Sequence, residues 1–536
     1  MKLVTVAEMQ AIEREADAQG WTYAQMMEKA GQGLAEIVHS FYGYEEPQSI
    51  VGLVGSGNNG GDTLIALEHL ARLGWQARAY LVKARQTSDP LLDRLRDAGG
   101  EWLEAGSDKD FTHLDAWLGE SSVVLDGIFG TGVRLPLRGE PARILAHVKD
   151  FPGLPDVVAV DCPSGVDLET GQAADETLAA ELTVCMAAVK TGLLRFPAYT
   201  LAGSLEVVDI GLPEGLASWE DVRRETVTED MVRGLLPDRP MDGHKGSFGT
   251  VSVLAGSLNY TGAAALCAEA AYRIGAGLVQ IAAPAPLHAA LAGRILEATW
   301  VLLPHEMGVI AEPAVGVLVR RLESTSALVW GPGFGLEDAT AAFVRRLLSG
   351  GAQPAQQRGI GFVNAAAAPA QAPTLLPPMV VDADGLKLLA RIEDWPNKLP
   401  KPAVLTPHPG EMAVLTGETR EAVQADRLEI ASRYAQEWGH VVVLKGAMTV
   451  IASPDGAVRV VPVATSALAH AGTGDVLAGM IAGLRAQGME PFAAASAAAW
   501  IHAQAGLTAA EQIGHEASVL AGDLIGALPE VLSWVW

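Results

Sequence analysis

Glycine-rich runs ending on an aspartate occur at two distant places in this sequence, GSGNNGGD at 55–62 and AGTGD at 471–475. Each lies where an extended or loop-like stretch gives way to a helical pattern. Glycines let backbone amides approach a ligand closely, and a helix start favours anions. Both runs therefore point to phosphate-bearing small molecules. In the first, Asn58, Asn59 and Asp62 put two carboxamides and a carboxylate at a tight turn, able to ligate a hard cation or hold a ribose and phosphate. In the second, backbone amides over 472–474 form an anion cradle, and Asp475 in the first helical turn can take a proton from an attacking hydroxyl. Charge stabilisation plus a positioned base is what phosphoryl transfer needs. No GxxxxGK[ST] motif occurs, which excludes a P-loop.

Gly55, Gly57 and Gly60 also have the GxGxxG spacing of a dinucleotide fold. That fingerprint requires an acidic residue at the end of the next strand. Here the strand ends Ala79-Tyr80-Leu81-Val82-Lys83, without a carboxylate, so that mode of NAD binding is excluded. Two further loops carry candidate chemistry, DGIFGTGVRLPLRG at 126–139 and DCPSGVD at 161–167. Asp126 and Asp161 each end an apolar run of strand length.

The elements that must position these residues are those of an α/β protein. Apolar runs at 49–54, 76–82, 122–126, 157–161, 182–186 and 205–210 predict buried strands, alternating with helices such as 63–73 and 89–98. A segment at 211–240, rich in Pro, Gly, Glu and Arg, lacks sustained strand periodicity and marks a boundary. The alternation restarts with strands at 250–255, 278–283, 327–330, 379–382, 403–405, 441–445 and 449–452, with a helix at 262–275. The chain from 474 on is helical and alanine-rich. The expected architecture is two α/β/α sandwiches with parallel sheets, one over 1–217 and one over 218–535. Residues 354–378, rich in Pro, Ala and Gln, are expected to form a flexible surface insertion. Ligands of such sheets sit beyond the carboxyl ends of the strands, which puts the loop at Gly55, Asp126 and Asp161 on one rim.

With 536 residues, 49% of them apolar and 19% charged, the chain has material for two large cores. Its net charge of −25 argues against nucleic acid or an anionic membrane as partner. The three cysteines, Cys162, Cys185 and Cys267, are too scattered for a disulfide framework or a cysteine zinc site. No signal peptide or uninterrupted apolar span is present, so a cytoplasmic location is expected. Association into a homo-oligomer is also expected.

NNGGD, D-x-IFGTG and D-x-PSGVD, in that order over about the first 215 residues, resemble the NAD(P)H-hydrate epimerase domain. The resemblance implies substrate contacts from Asn58, Asn59, Gly60, Gly61 and Asp62, from Gly130, Thr131, Gly132, Val133, Arg134, Leu135 and Pro136, and from Asp161. It further implies a potassium ion on Asn59, Asp126 and Ser164, with Asp161 as acid/base for inverting the hydrated carbon. Thr63 stands where that family usually has glycine; either its β-branch constrains the helix start or its hydroxyl caps it.

The second half resembles the ribokinase-like superfamily, and within it the ADP-dependent NAD(P)H-hydrate dehydratases. The motifs are KGSFGTVSVLAGSLNYTGAAAL from 245, GPGFG at 331–335, DADGLKLL at 382–389, TPHPGEM at 406–412, LKGAMTVI at 444–451 and AGTGD. This implies that Lys445, Gly446, Ala447, Met448, Thr449 and Gly474 hold the adenine nucleotide. Ala263, Gly333, His408 and Asp475 would face the hydrated nicotinamide. Asp475 would deprotonate the ring hydroxyl while magnesium-bound ADP donates its terminal phosphoryl group. Elimination of phosphate then restores NADH or NADPH and leaves AMP. Blander readings exist: Lys445 snorkels to solvent, Asp382 and Asp384 cap a helix, His408 bonds only backbone, and Trp534 and Trp536 pin the C-terminus. The alternative function is a kinase for a thiazole or pyrimidine alcohol with a non-catalytic N-terminal ligand-binding module; TPHPGEM and the fused NNGGD domain weigh against it.

Overall fold

The computed structural model describes residues 1–44, 48–85, 89–349 and 376–536. Most of the expected insertion, 354–375, lies outside the described residues. The chain divides into two compact units, Met1–Arg224 and Glu225–Trp536. Both are α/β sandwiches built on largely parallel sheets.

In the first unit seven strands are all parallel: β1 (Ser49–Val54), β2 (Gln76–Leu81), β3 (Glu101–Glu104), β4 (Val123–Gly127), β5 (Asp156–Val160), β6 (Leu182–Met186) and β7 (Ser204–Val208). Their order is β3-β2-β1-β4-β5-β6-β7. Within β1, Ile50 and Val54 join one apolar cluster, Val51 and Leu53 the other. The strand is thus buried on both faces, as its unbroken apolar run requires. The direction of winding reverses between β1 and β4, so the loops after these two strands flank the crevice where such sheets bind ligands. Those loops are GSGNNGGD and the one that opens on Asp126.

The second sheet has ten strands. They are β8 (Arg224–Thr226), β9 (Thr250–Leu254), β10 (Leu278–Pro284), β11 (Thr299–Leu303), β12 (Ala327–Trp330), β13 (Met379–Val381), β14 (Val404–Leu405), β15 (Val441–Leu444), β16 (Val450–Ala452) and β17 (Val458–Val460). The order is β8-β17-β16-β15-β14-β13-β12-β9-β10-β11, parallel from β11 through to β15, with β16 and β17 antiparallel. Here the reversal falls between β9 and β12. The loops that follow them, 255–260 and 331–335, occupy the crevice, and β13, β14 and β15 present Asp382, His408 and Lys445 progressively further along the same rim.

Three expectations are corrected. The helix expected over 63–73 is α1 (Asn58–Arg72), so NNGGD is its first turns rather than a loop before it. Two glycines make that early start possible. A Cβ on Gly60 would lie 2.0 Å from the Gly55 carbonyl oxygen, and one on Gly55 would lie 2.0 Å from that of Ile128. The stretch 211–240 is not featureless: it holds short helices at Ala217–Glu220 and Glu229–Leu235 and the edge strand β8. Elements of three to seven residues are too short to show periodicity. Strands β3 and β17 were not foreseen because charged residues interrupt their apolar pattern; β11, the short run TWVLL at the sheet edge, was not foreseen either.

Candidate active sites

In the first unit the loops converge on buried oxygen atoms. The Asn59 amide nitrogen donates to the carbonyls of Phe129 and Val160, which turns its oxygen away from both and toward Gly130. Ser164 N donates to Asp126 Oδ2 at 2.7 Å, and Ser164 Oγ accepts from Phe129 N at 2.9 Å. Asp126 is wholly buried, and its Oδ1 has no hydrogen-bond partner. Burial raises its pKa against the opposing hydrogen bonds from Ser164 and the Ile128 backbone. A buried carboxylate oxygen left orphaned at the Ser164 turn, in a site of oxygen donors, could hold a hard cation. Asn59, Asp126 and Ser164, the three residues that the resemblance implies as ligands, meet around Phe129.

Asp161 forms a second centre. Its backbone is in the left-handed region (φ +66°), a strain of about 1 kcal/mol or more that is typical of functional positions. Oδ1 accepts from Met186 N at 2.9 Å and from the buried ammonium of Lys190, which also donates to the Met186 carbonyl at 2.9 Å. Burial opposes the Lys190 charge, but Asp161 outweighs it and its pKa is raised. Asn58 and Asp62 line a small cavity of about 60 Å³ with Glu13, Tyr23 and Met186. Burial first, then the Asp161 and Glu13 charges, push the Asp62 carboxyl well above its usual range. Gly130 touches the Asn59 amide, while Gly132, Arg134 and Pro136 are exposed on the loop beyond. Thr63 is fully buried, and its hydroxyl donates to the Asn59 carbonyl at 2.7 Å. It ties the turn back on itself and does not cap a free N–H. Lys190 and Glu13 were not singled out from sequence; the signal for Lys190 was a lone charge in the apolar run LTVCMAAVKTGLL.

In the second unit the site is a cavity of about 420 Å³ at the head of α6 (Thr473–Ala486). Its walls include Asp382, His408, Lys445, Gly446, Ala447, Thr449, Gly474, Asp475 and His502. Helix α6 is capped by Gly472 (φ +93°) without a side-chain cap bond, so its first amides are left for an anion. Buried Val476, Leu477, Met480, Ile481 and Leu484 anchor the helix, each contributing about 1.5–3 kcal/mol. Burial and then the Asp382 carboxylate push Asp475 up to about 7, against the pull of Lys445. The Cys267 thiol donates to the Asp475 carbonyl at 3.1 Å.

Lys445 does not snorkel to solvent. Its ammonium lies 2.5 Å from Asp382 Oδ1, which also accepts from Thr406 Oγ1 at 2.8 Å. Burial works against the Lys445 charge, yet the facing carboxylates of Asp382 and Glu411 raise its pKa. Nor does Asp382 cap a helix: it is 1% exposed and engaged with Lys445. Asp384 opens α3 (Asp384–Leu389) and accepts from Gly335 N at 3.0 Å. His408 is the N-cap of α4 (Pro409–Thr416), its Nδ1 accepting from Gly410 N and Glu411 N. It also reaches the cavity, so the backbone role and the site position coexist. Met448 is buried (φ +53°), its N–H bonded to the Val463 carbonyl, and is not part of the cavity wall. Ala263 and Gly333 meet in the crevice of the sheet, where a Cβ on Gly333 would lie 2.8 Å from that of Ala263. His502, unnoticed inside an alanine-rich helix, lines the cavity, with Nε2 2.8 Å from the Thr473 carbonyl. Trp536 does pin the C-terminus: its Nε1 donates to the Pro237 carbonyl at 2.9 Å. The three cysteines are free and buried.

Comparison with known proteins covers both units. A family model described as NAD(P)H-hydrate dehydratase matches residues 251–530, and one described as YjeF-related protein N-terminus matches 23–192. The chain is 38% identical to the bifunctional NAD(P)H-hydrate repair enzyme Nnr of Moorella thermoacetica, over 99% of this chain and 97% of the relative. Identity to the enzyme of the same name from Escherichia coli is 32%, over 97% and 92%. Among solved structures, an ADP/ATP-dependent NAD(P)H-hydrate dehydratase from Bacillus subtilis, co-crystallised with ATP and magnesium, is 30% identical. It covers 58% of this chain and 98% of its own, with a TM-score of 0.45.

Proposed function

Because the chain belongs to the family of bifunctional NAD(P)H-hydrate repair enzymes, we propose that residues 1–217 interconvert the R and S hydrates of NADH and NADPH, and that 218–535 dehydrate the S form at the expense of ADP. The similarity runs through both units without a break, and this observation carries the reading. It does not favour a thiazole or pyrimidine kinase.

In the first unit Asp161 is the acid/base at the hydrated carbon, with Lys190 fixing its carboxylate. Asn58, Asn59, Gly60, Gly61 and Asp62 and the loop from Gly130 to Pro136 hold the nucleotide. Asn59, Asp126 and Ser164 would bind potassium, whose positive charge would tie the two loops together. The orphaned Asp126 oxygen supports that assignment.

In the second unit Lys445, Gly446, Ala447, Thr449 and Gly474 bind ADP, which enters as its magnesium complex, while buried Met448 shapes the turn behind them. Asp475 takes the proton of the ring hydroxyl as its oxygen attacks the terminal phosphorus, and the phosphoanhydride bond to AMP breaks. The α6 amides receive the charge that develops on the phosphoryl oxygens. Phosphate leaves far more readily than hydroxide, so the C–O bond then breaks, with the ring nitrogen supplying electrons, and loss of a ring proton restores NAD(P)H. Ala263, Gly333 and His408 orient the ring. An Asp475 pKa of about 7 suits this role, since a base works best near the operating pH.

Among the described residues no helix is long and apolar enough to cross a membrane. We infer a cytoplasmic location, no nucleic-acid or membrane partner, and a homo-oligomer. Exposed Leu258, Leu302 and Met307 are the surface features that support association. The deciding experiment incubates the purified protein with mixed hydrate epimers, magnesium-ADP and potassium while following reduced-nicotinamide absorbance. Recovery beyond the S fraction is expected. Recovery that stops there would remove the epimerase assignment, and none at all would overturn the dehydratase.

A further inference from the structure

The position of Lys445 raises a question that the nucleotide-binding role does not answer. A lysine meant for phosphate is already paired, at 2.5 Å, with a carboxylate that is 1% exposed. That carboxylate is held in place by Thr406 Oγ1 at 2.8 Å. The same ammonium lies over the turn that carries the base: a Cβ on Gly474 would be 3.1 Å from Lys445 Nζ and 3.8 Å from Asp382 Oδ2. Glycine at 474 therefore gives both partners access to the first turn of α6. The titratable groups facing Asp475 come from six elements. Asp382 and Asp384 lie at the end of β13 and in α3, Glu411 in α4 and Lys445 after β15; Cys267, on the helix Thr261–Arg273, and His502, on the helix Pro491–Ile513, complete the set. Among the charged neighbours Asp382 has the largest effect on Asp475, ahead of Lys445.

We propose that Asp382 is a positioning residue for the dehydration: it holds Lys445 in the nucleotide-free protein, yields it to the phosphate chain of ADP, and leaves its own negative charge facing Asp475 as the substrate hydroxyl gives up its proton. The inference rests on the dehydratase reading of this cavity. It couples nucleotide entry to the base through a lysine that cannot serve two anions equally well. The cost of separating a buried ion pair is offset because the lysine finds phosphate at the same moment.

The test measures kcat/KM for the S hydrate against pH, together with magnesium-ADP affinity by calorimetry, in the full-length protein. In the wild type the acid limb, which reports the free enzyme, is expected near 7. Asp382→Asn should move that limb down by about one pH unit. It should also tighten ADP binding about threefold or more, since the lysine is released, and lower kcat about tenfold. Lys445→Met should move the limb upward, and Asp382→Glu should restore the wild-type limb. The double variant D382N/K445M, which buries neither charge without its partner, guards against misfolding; its limb should lie between those of D382N and the wild type. A limb unmoved in D382N and in the double variant, or weaker ADP binding in D382N, would overturn the inference. If the wild type itself shows no ADP-dependent recovery, the dehydratase reading fails instead.

Discussion

Asp161 and Asp475 are assigned the same task in the two halves of the chain, yet their lysines are arranged differently. Lys190 bonds the Asp161 carboxylate itself. Lys445 is held off Asp475 by a second carboxylate, Asp382, and Asp475 sits at about 7 as a result of burial and that neighbour. The chemistry explains the difference. A hydroxyl attacking phosphorus must lose its proton to a group of substantial basicity, whereas an epimerisation that can run either way needs a carboxylate fixed in space more than a strong base. The same pair of residue types thus gives a clamped carboxylate in one unit and a carboxyl of raised pKa in the other.

The largest expected effect separates the halves outright. Asp475→Asn should lower ADP-dependent recovery from the S hydrate by about a thousandfold or more, the loss typical of a base needed in the transition state, with R–S interconversion unchanged. Absorbance recovery and chromatographic epimer ratios on the same sample check both statements. Normal turnover would show that the base lies elsewhere.

A smaller effect should come from the other side of the comparison. Asp161→Asn is expected to slow R-to-S conversion about a hundredfold while the S hydrate remains a full substrate for dehydration. Lys190→Met should slow it too and, by leaving Asp161 buried without its partner, cost about 3–5 kcal/mol of stability, visible in denaturant unfolding. If Lys190→Met destabilised the protein but left epimerisation untouched, the clamp would be purely structural.

How much of this contrast was visible in the sequence follows from its range. Strands such as Ser49–Val54, Leu182–Met186 and Ala327–Trp330 announce themselves because they are apolar on both faces and bounded by glycine or charge. Topology put the loop at Gly55, Asp126 and Asp161 on one rim, the family resemblance singled out Asn59, Asp126 and Ser164, and the fold brings these three within hydrogen-bonding reach of shared partners. Pairings across sequence left no local trace. Lys190 lies 29 residues from Asp161, and Lys445 lies 63 from Asp382. No spacing rule links such pairs, because the sheet and not the chain makes them neighbours. Asp382 looked like a helix cap for the same reason: its sequence context shows α3 ahead of it but not the lysine just after β15.

The mildest prediction concerns how acid acts on the two halves. In the second unit burial holds His440 and His502 down to about 4. Their unfolded value is about 6.5, so between those limits the unfolded chain binds protons that the native fold refuses, and stability is lost as pH falls. Asp475, raised to about 7, works the other way, since the native state takes its proton first. Half-buried His408, also held below its ordinary value by burial and more screened by solvent, acts in the same direction as the two buried histidines. Against one carboxylate the net is about one proton or more, about 1 kcal/mol or more lost per pH unit between 6.5 and 5. In the first unit the raised carboxyls are Asp62, Asp126 and Glu13, whose protonation favours the native state as pH falls. Pulse proteolysis of the full chain at pH 6.5 and 5.5, with fragments assigned to each half, should show the second unit weakening while the first holds or gains. His440→Gln, which can still bond the Ala403 amide and the Pro396 carbonyl, should flatten the slope in the second unit only. Equal weakening of both halves would mean that the buried histidines do not govern the acid response.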